Sequence, residues 1–207
     1  MPRTRFYLFI NGILTVPDGR TGWTDRAVTW TESHFNQLAE KYEYFCGALT
    51  RRLFQWLRVK RCVELLRHYS GHDLVLVGHS NGADIVCRIL KEYPEIEVAE
   101  IHLVAAAADA DFQVNGLNMA LLTGRLGRAT LYGSHRDGAL RLAQVSEAFS
   151  FLGLGYGALG RTGPRNVDER IGDRVVQVWR DDFDHSTWFS PAQFAATMDL
   201  IVQPSRA

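Results

Sequence analysis

The chain has 207 residues, of which 46% are hydrophobic and 22% charged, enough for one globular domain with a sizeable core. The 23 basic and 23 acidic residues cancel, so global charge gives no sign of a nucleic-acid binder. The opening apolar run, Phe6 to Ile10, is too short for a signal h-region or a membrane span. The three cysteines (Cys46, Cys62, Cys87) are an odd count without metal-ligand spacing, which points to free thiols and a cytoplasmic setting.

In chain order, Arg5 to Ile10 predicts a buried strand ended by the turn signal Asn11-Gly12. Ile13 to Trp23 reads as a loop and Ala27 to Trp30 as a short strand. Phe35 to Tyr69 carries helical periodicity interrupted near Gly47 and closed by Ser70-Gly71. Leu74 to Val77 predicts a strand, and Asn81 to Tyr93 a helix stopped by Pro94. Further strands are expected at Glu100 to Ala106, Ala129 to Tyr132 and Val175 to Trp179, with helices at Ala139 to Phe149 and Pro191 to Val202. Phe112 to Arg128 is mixed, with a helical middle over Leu117 to Leu122. Alternating strands and helices imply a three-layer α/β/α sandwich, a mostly parallel sheet of about six strands and a site at the strands' carboxyl ends.

The most informative motif is Gly78-His79-Ser80-Asn81-Gly82, between a predicted strand and a predicted helix. A strand–turn–helix of this kind strains the backbone at the serine and lifts its hydroxyl above the sheet. Small residues two before and two after are needed because the two backbones pass very close. A serine hydroxyl is a poor nucleophile unless a histidine takes its proton and an acid orients that histidine. Asp137 lies just past the strand Ala129 to Tyr132, and His185 just past Val175 to Trp179. Ser80, Asp137 and His185 therefore stand at strand ends in the order serine, acid, histidine.

Competing readings exist for several residues. His135 precedes Asp137 and is the alternative base, while Asp109 and Asp111 are alternative acids on the same rim. His102, within a strand, reads as a satisfied core histidine, and His79 as an elbow residue packed beside the serine that also borders the substrate. Thr50 to Tyr69 carries six arginines and lysines among Leu53, Phe54, Trp56 and Leu57. It reads as a surface helix with snorkelling side chains, with interfacial membrane contact as the sharper alternative. The run Gly153 to Gly160 follows a helix rather than a strand, so it reads as a flap and not a nucleotide cradle.

Three stretches, Leu74 to Gly82, Ala129 to Leu142 and Asp184-His185-Ser186, resemble the esterase/lipase-like branch of the α/β-hydrolase superfamily. The alanine-rich strand ending in Ala-Asp-Ala-Asp-Phe112 adds to the likeness, which is strongest to an uncharacterised bacterial family and covers most of the chain from Phe6. The resemblance implies Ser80 as nucleophile, Asp137 as acid and His185 as base, with no metal or organic cofactor. It implies oxyanion donors in the backbone N–H groups of Asn81 and of Ile13, where Asn11-Gly12 stands in place of the His-Gly common in related enzymes. Two opening strands of the superfamily have no counterpart before Arg5, and Asn11 to Thr24 shows no helix, so a reduced sheet and an open acyl pocket are expected.

The expected protein is thus a single α/β-hydrolase domain over 1–207, with a small lid at 111–127 and a glycine-rich flap at 153–164. Gly12, His79, Phe112, Leu117 and Met119 are expected to border the substrate. The expected reaction is cleavage of a small carboxylic ester through an acyl-enzyme. A thioesterase or acyltransferase with the same triad is the second reading, and a non-catalytic binding module the third.

Overall fold

In the computed structural model, which describes residues 4–13, 22–44, 54–147 and 157–202, six strands form one all-parallel sheet. The strands are β1 (Arg5–Ile10), β2 (Leu38–Tyr42), β3 (Asp73–His79), β4 (Val98–Val104), β5 (Leu126–Gly133) and β6 (Val175–Trp179). Their spatial order is β2-β1-β3-β4-β5-β6. β1 and β3 are apolar and buried along nearly their whole length, as strands covered on both faces must be.

The helices are α1 (Trp23–Phe35), α2 (Gln55–His68), α3 (Asn81–Glu92), α4 (Leu117–Leu122), α5 (Gly138–Glu147), α6 (Leu159–Thr162) and α7 (Phe194–Val202). Two core clusters divide them. The larger joins α2, α3 and α4 through Val59, Cys62, Leu66, Ile85, Ile89, Leu117 and Leu121. The smaller joins α1 and α7 through Trp23, Ala27, Phe194, Met198 and Ile201. From β1 the chain steps outward through α1 to β2, then returns past β1 to β3 and onward to β6. The change of direction puts α1 and α2 on opposite faces, because parallel crossovers are right-handed. It also opens a crevice between the carboxyl ends of β1 and β3, where sheets of this kind bind ligands.

Two regions differ from the sequence expectation. Ala27 to Trp30 is not a strand but the middle of α1, whose first turn begins at Trp23. The tetrapeptide Ala-Val-Thr-Trp favours a strand locally, yet Trp23, Ala27 and Thr31 are buried at four-residue spacing, so packing against the sheet selects the helix. Asn36 ends α1 in the left-handed conformation (φ 49°) and donates its N–H to the Glu32 carbonyl. Conversely, Leu38 to Tyr42 is not helical but pairs with β1, from Phe6 opposite Leu38 to Ile10 opposite Tyr42. Leu-Ala-Glu-Lys-Tyr is a helix-favouring string, and only the ladder with β1 makes it an edge strand. Gly47 lies outside the described residues.

Two predicted coverings are core instead. Phe112, Leu117 and Leu121 are wholly buried in the larger cluster, so the apolar face of 111–127 is part of the packed core, while Val114 and Met119 are exposed. The described part of the glycine-rich run is likewise clamped down. Leu159 and Gly160 donate N–H bonds to the carbonyls of Ala108 and Ala106, and a Cβ on Gly157 or Gly160 would overlap the backbone of 105–109. Residues 153–156 lie outside the described residues. Cys62 and Cys87 are buried free thiols, each pushed up by burial. Among the described residues no helix is long and apolar enough to cross a membrane. α2 buries Val59, Cys62, Val63 and Leu66 and lays the Arg58 guanidinium over the Tyr44 ring, leaving Phe54 and Trp56 exposed.

Candidate active site

The turn between β3 and α3 is built as its five residues require. Ser80 has φ 54° and ψ −120°, a region side-chain-bearing residues occupy only when their surroundings impose it. Three backbone bonds impose it here: Ser80 donates its N–H to Val104, and its carbonyl accepts from Ala83 and Ala107. A Cβ on Gly78 would sit 2.7 Å from the Ala83 nitrogen, and one on Gly82 would overlap the Ile10 carbonyl. Both glycines are therefore spacers that let β1, β3 and α3 converge.

Asp137 follows β5 and is almost fully buried. Its carboxylate has two tasks. Oδ1 accepts the Leu140 N–H at 2.9 Å, capping the first turn of α5, and Oδ2 accepts from His185 Nδ1 at 2.8 Å. A carboxylate only accepts, so Nδ1 carries the imidazole proton and Nε2 is left to accept the Ser80 hydroxyl, 2.9 Å away. His185 is a quarter exposed and sits in the loop after β6. Asp184 organises that loop: its Oδ1 accepts the N–H groups of Ser186 and Thr187 and both their hydroxyls. The loops carrying Asp137 and His185 are joined directly, because the Ser134 hydroxyl donates to the Phe183 carbonyl at 2.6 Å and Arg180 N–H donates to the Gly133 carbonyl.

On the other side of the serine is the loop after β1. A Cβ on Gly12 would lie 2.8 Å from Ser80 Cβ and 3.3 Å from its Oγ, so the backbone at Gly12 rests against the serine itself. Ile13 follows, partly buried against the larger core, and Asn81 begins α3. Behind them lies a polar brace that sequence patterns do not reveal. The Asn81 side chain donates to Tyr44 Oη at 2.7 Å, and the Asn11 amide bonds the Tyr44 backbone through both its oxygen and its nitrogen. Tyr44 is separated from these residues by more than thirty positions, so no local motif signals it.

Of the remaining candidates, all but His79 are engaged elsewhere, buried in the core or turned to solvent. His135 stacks on Trp179 and bonds Asp181 at 2.9 Å on the exposed surface. Asp109 accepts the Asp111 N–H, Asp111 accepts from Gln113, Val114 and Asn166, and neither is joined to His185. His102 is buried and bonds Tyr132 Oη at 3.0 Å. Phe112 and Leu117 have no exposed surface to offer a substrate, and Met119 points to solvent at 61% exposure. His79 is in the site: Nε2 bonds the backbone carbonyl of His185 at 3.1 Å, and its ring is enclosed by Trp23, Phe189 and His185. Burial, reinforced by the His185 ring, pushes its pKa down to about 3. Among the described residues no group of three or more His, Cys, Asp or Glu is placed to hold a metal ion.

Residues 57–201 match the family model described as "Alpha/beta hydrolase of unknown function (DUF900)". No curated protein matches the sequence. Among solved structures, a candidate hydrolase from Agrobacterium vitis S4 superposes with a TM-score of 0.60 at 14% identity, over 96% of this chain and 87% of that one. Alpha/beta hydrolase domain-containing protein 10 from mouse gives 0.56 at 14% identity, over 95% and 87%. The esterase domain of a Rhodothermus marinus protein gives 0.53 at 18% identity, over 95% and 84%.

Proposed function

This chain belongs to the alpha/beta hydrolase family of unknown function DUF900, and from that premise we propose that it hydrolyses carboxylic esters through an acyl-enzyme. The observation that carries the reading is the unbroken relay from Asp137 Oδ2 through His185 to Ser80 Oγ, at 2.8 and 2.9 Å. In this reading His185 Nε2 takes the hydroxyl proton as Ser80 attacks the ester carbonyl, and Asp137 stabilises the imidazolium that forms. His185 then returns the proton to the departing alcohol. A water enters, gives its proton to Nε2 and attacks the acyl-enzyme, and the acid is released as Ser80 regains its hydrogen.

The developing oxyanion is assigned to the backbone N–H groups of Asn81, which follows Ser80 at the start of α3, and of Ile13, which follows Gly12 in the loop after β1. The N-terminal end of α3 adds its dipole to the same spot. The choice of ester follows the esterase named among proteins that share the fold. Purified protein is expected to cleave short p-nitrophenyl esters and to be labelled by a fluorophosphonate at Ser80, with both lost in S80A. Folded protein that shows neither would overturn the proposal.

A further inference from the structure

We infer that His79 is a positioning residue for the base: its Nε2–H holds the backbone carbonyl of His185 and so sets where the imidazole stands against Ser80. The inference rests on His185 being the base. His185 has two side-chain partners, Asp137 and Ser80, and both bonds end on its ring. Two ring bonds leave the imidazole free to swing with its backbone. The bond from His79 Nε2 at 3.1 Å is the one that ties that backbone to the elbow carrying the nucleophile.

The direction of this bond is fixed by chemistry. A carbonyl only accepts, so Nε2 must carry the proton and Nδ1 must be bare. Nδ1 is sealed from solvent with no partner among the described residues, and a second proton there would be a cation without compensation. The charged groups nearest His79 are His185 itself and Asp137, and burial outweighs the carboxylate, keeping His79 neutral far below neutral pH. Neutrality matters because the rings of His79 and His185 are 5.2 Å apart between centroids. A cation at that distance would oppose the imidazolium that catalysis has to form.

The surroundings hold the ring in this role. Trp23 and Phe189 stack on each other with centroids 4.0 Å apart, and both meet His79 edge to face. On the remaining side the position of a Cβ on Gly12 lies 3.5 Å from Nδ1, so the loop after β1 packs against the imidazole at ordinary contact distance.

The test uses three substitutions. Glutamine places its amide nitrogen near the position of Nε2, asparagine only near that of Nδ1, and phenylalanine removes the donor while keeping the ring. In the full chain, kcat of H79Q is expected within about threefold of wild type, and H79N and H79F about ten- to hundredfold lower with KM little changed. The downfield Nδ1–H proton resonance of His185 should persist in H79Q and broaden in the other two, and this is read without turnover. Equal behaviour of H79N and H79Q, or wild-type kcat and resonance in H79F, overturns the inference. A wild-type protein that shows the resonance but neither labelling nor hydrolysis would sink the ester-hydrolase reading and leave this one standing.

Discussion

The substitution Gly12→Ala tests how closely the loop after β1 confines the nucleophile. The new methyl would start 2.8 Å from Ser80 Cβ, whereas carbon atoms rest at about 3.5–4.0 Å, so something must move by about 0.7–1.2 Å. Ser80 resists, being held by three backbone hydrogen bonds. The loop resists too: Asn11 N–H donates to Tyr42, and its side chain is bonded twice to the Tyr44 backbone. Overpacking of this kind costs about 1–3 kcal/mol, and each kcal/mol lowers the melting temperature by about 2–4 °C in a domain of this size. The chemical penalty is of similar size, because a displacement near 1 Å at reacting atoms costs about 10²-fold in rate, or about 2.7 kcal/mol. Steady-state hydrolysis of p-nitrophenyl acetate and the rate of fluorophosphonate labelling should both fall about 10²-fold in protein that is still folded at the assay temperature. A G12A protein with wild-type rates in both assays would refute the idea that this backbone confines Ser80.

Three other outcomes are expected. D137N should lower kcat about 10⁴-fold by stabilising the wrong imidazole tautomer, while its Oδ1 still caps the first turn of α5 and stability changes little; a rate loss below tenfold would remove Asp137 as the orienting acid. G82A should fail to accumulate as folded protein because its methyl overlaps the Ile10 carbonyl, whereas G71A, where a Cβ meets nothing within 4 Å, should express and melt like wild type. Glu100 is held down at about 2, with the His102 ring pulling hardest and Arg5, 2.9 Å away, assisting against burial. Its ionised form stabilises the fold above its unfolded pKa, by up to about 3 kcal/mol, and that contribution disappears as pH falls from about 4.5 to 2. Urea titrations should find E100Q less stable at pH 7, the gap narrowing by pH 3 and closing only near pH 2; a pH-independent gap would contradict this.

What could be read from the sequence follows the distance over which each feature is determined. The elbow is local: strand, two spacer glycines and helix lie within about twenty residues, and their types follow from steric contact. Asp137 and His185 could be found because strand ends are themselves readable and the chain order is constrained. The segment 23–42 could not be read, because Ala27–Trp30 favours the strand and Leu38–Tyr42 the helix, and in both cases pairing or packing with β1 reverses the local preference. The brace from Tyr44 to Asn11 and Asn81, and the bond from His79 to His185, join residues 33, 37 and 106 positions apart. Their partners are chosen by the sheet order, which no short pattern encodes. The apolar character of Phe112 and Leu117 suits a substrate wall and a core wall equally well, and the core takes them.

The two oxygens of Asp137 make one carboxylate both the foundation of α5 and the anchor of the His185 ring. The orientation of the imidazole is therefore geared to the axis of that helix. A change on α5 that tilts its first turn rotates the carboxylate and so reaches His185 without touching it. On the proposed reading, substitutions in the first turn of α5 reach the base through Asp137, whereas those on α3 act on Ser80.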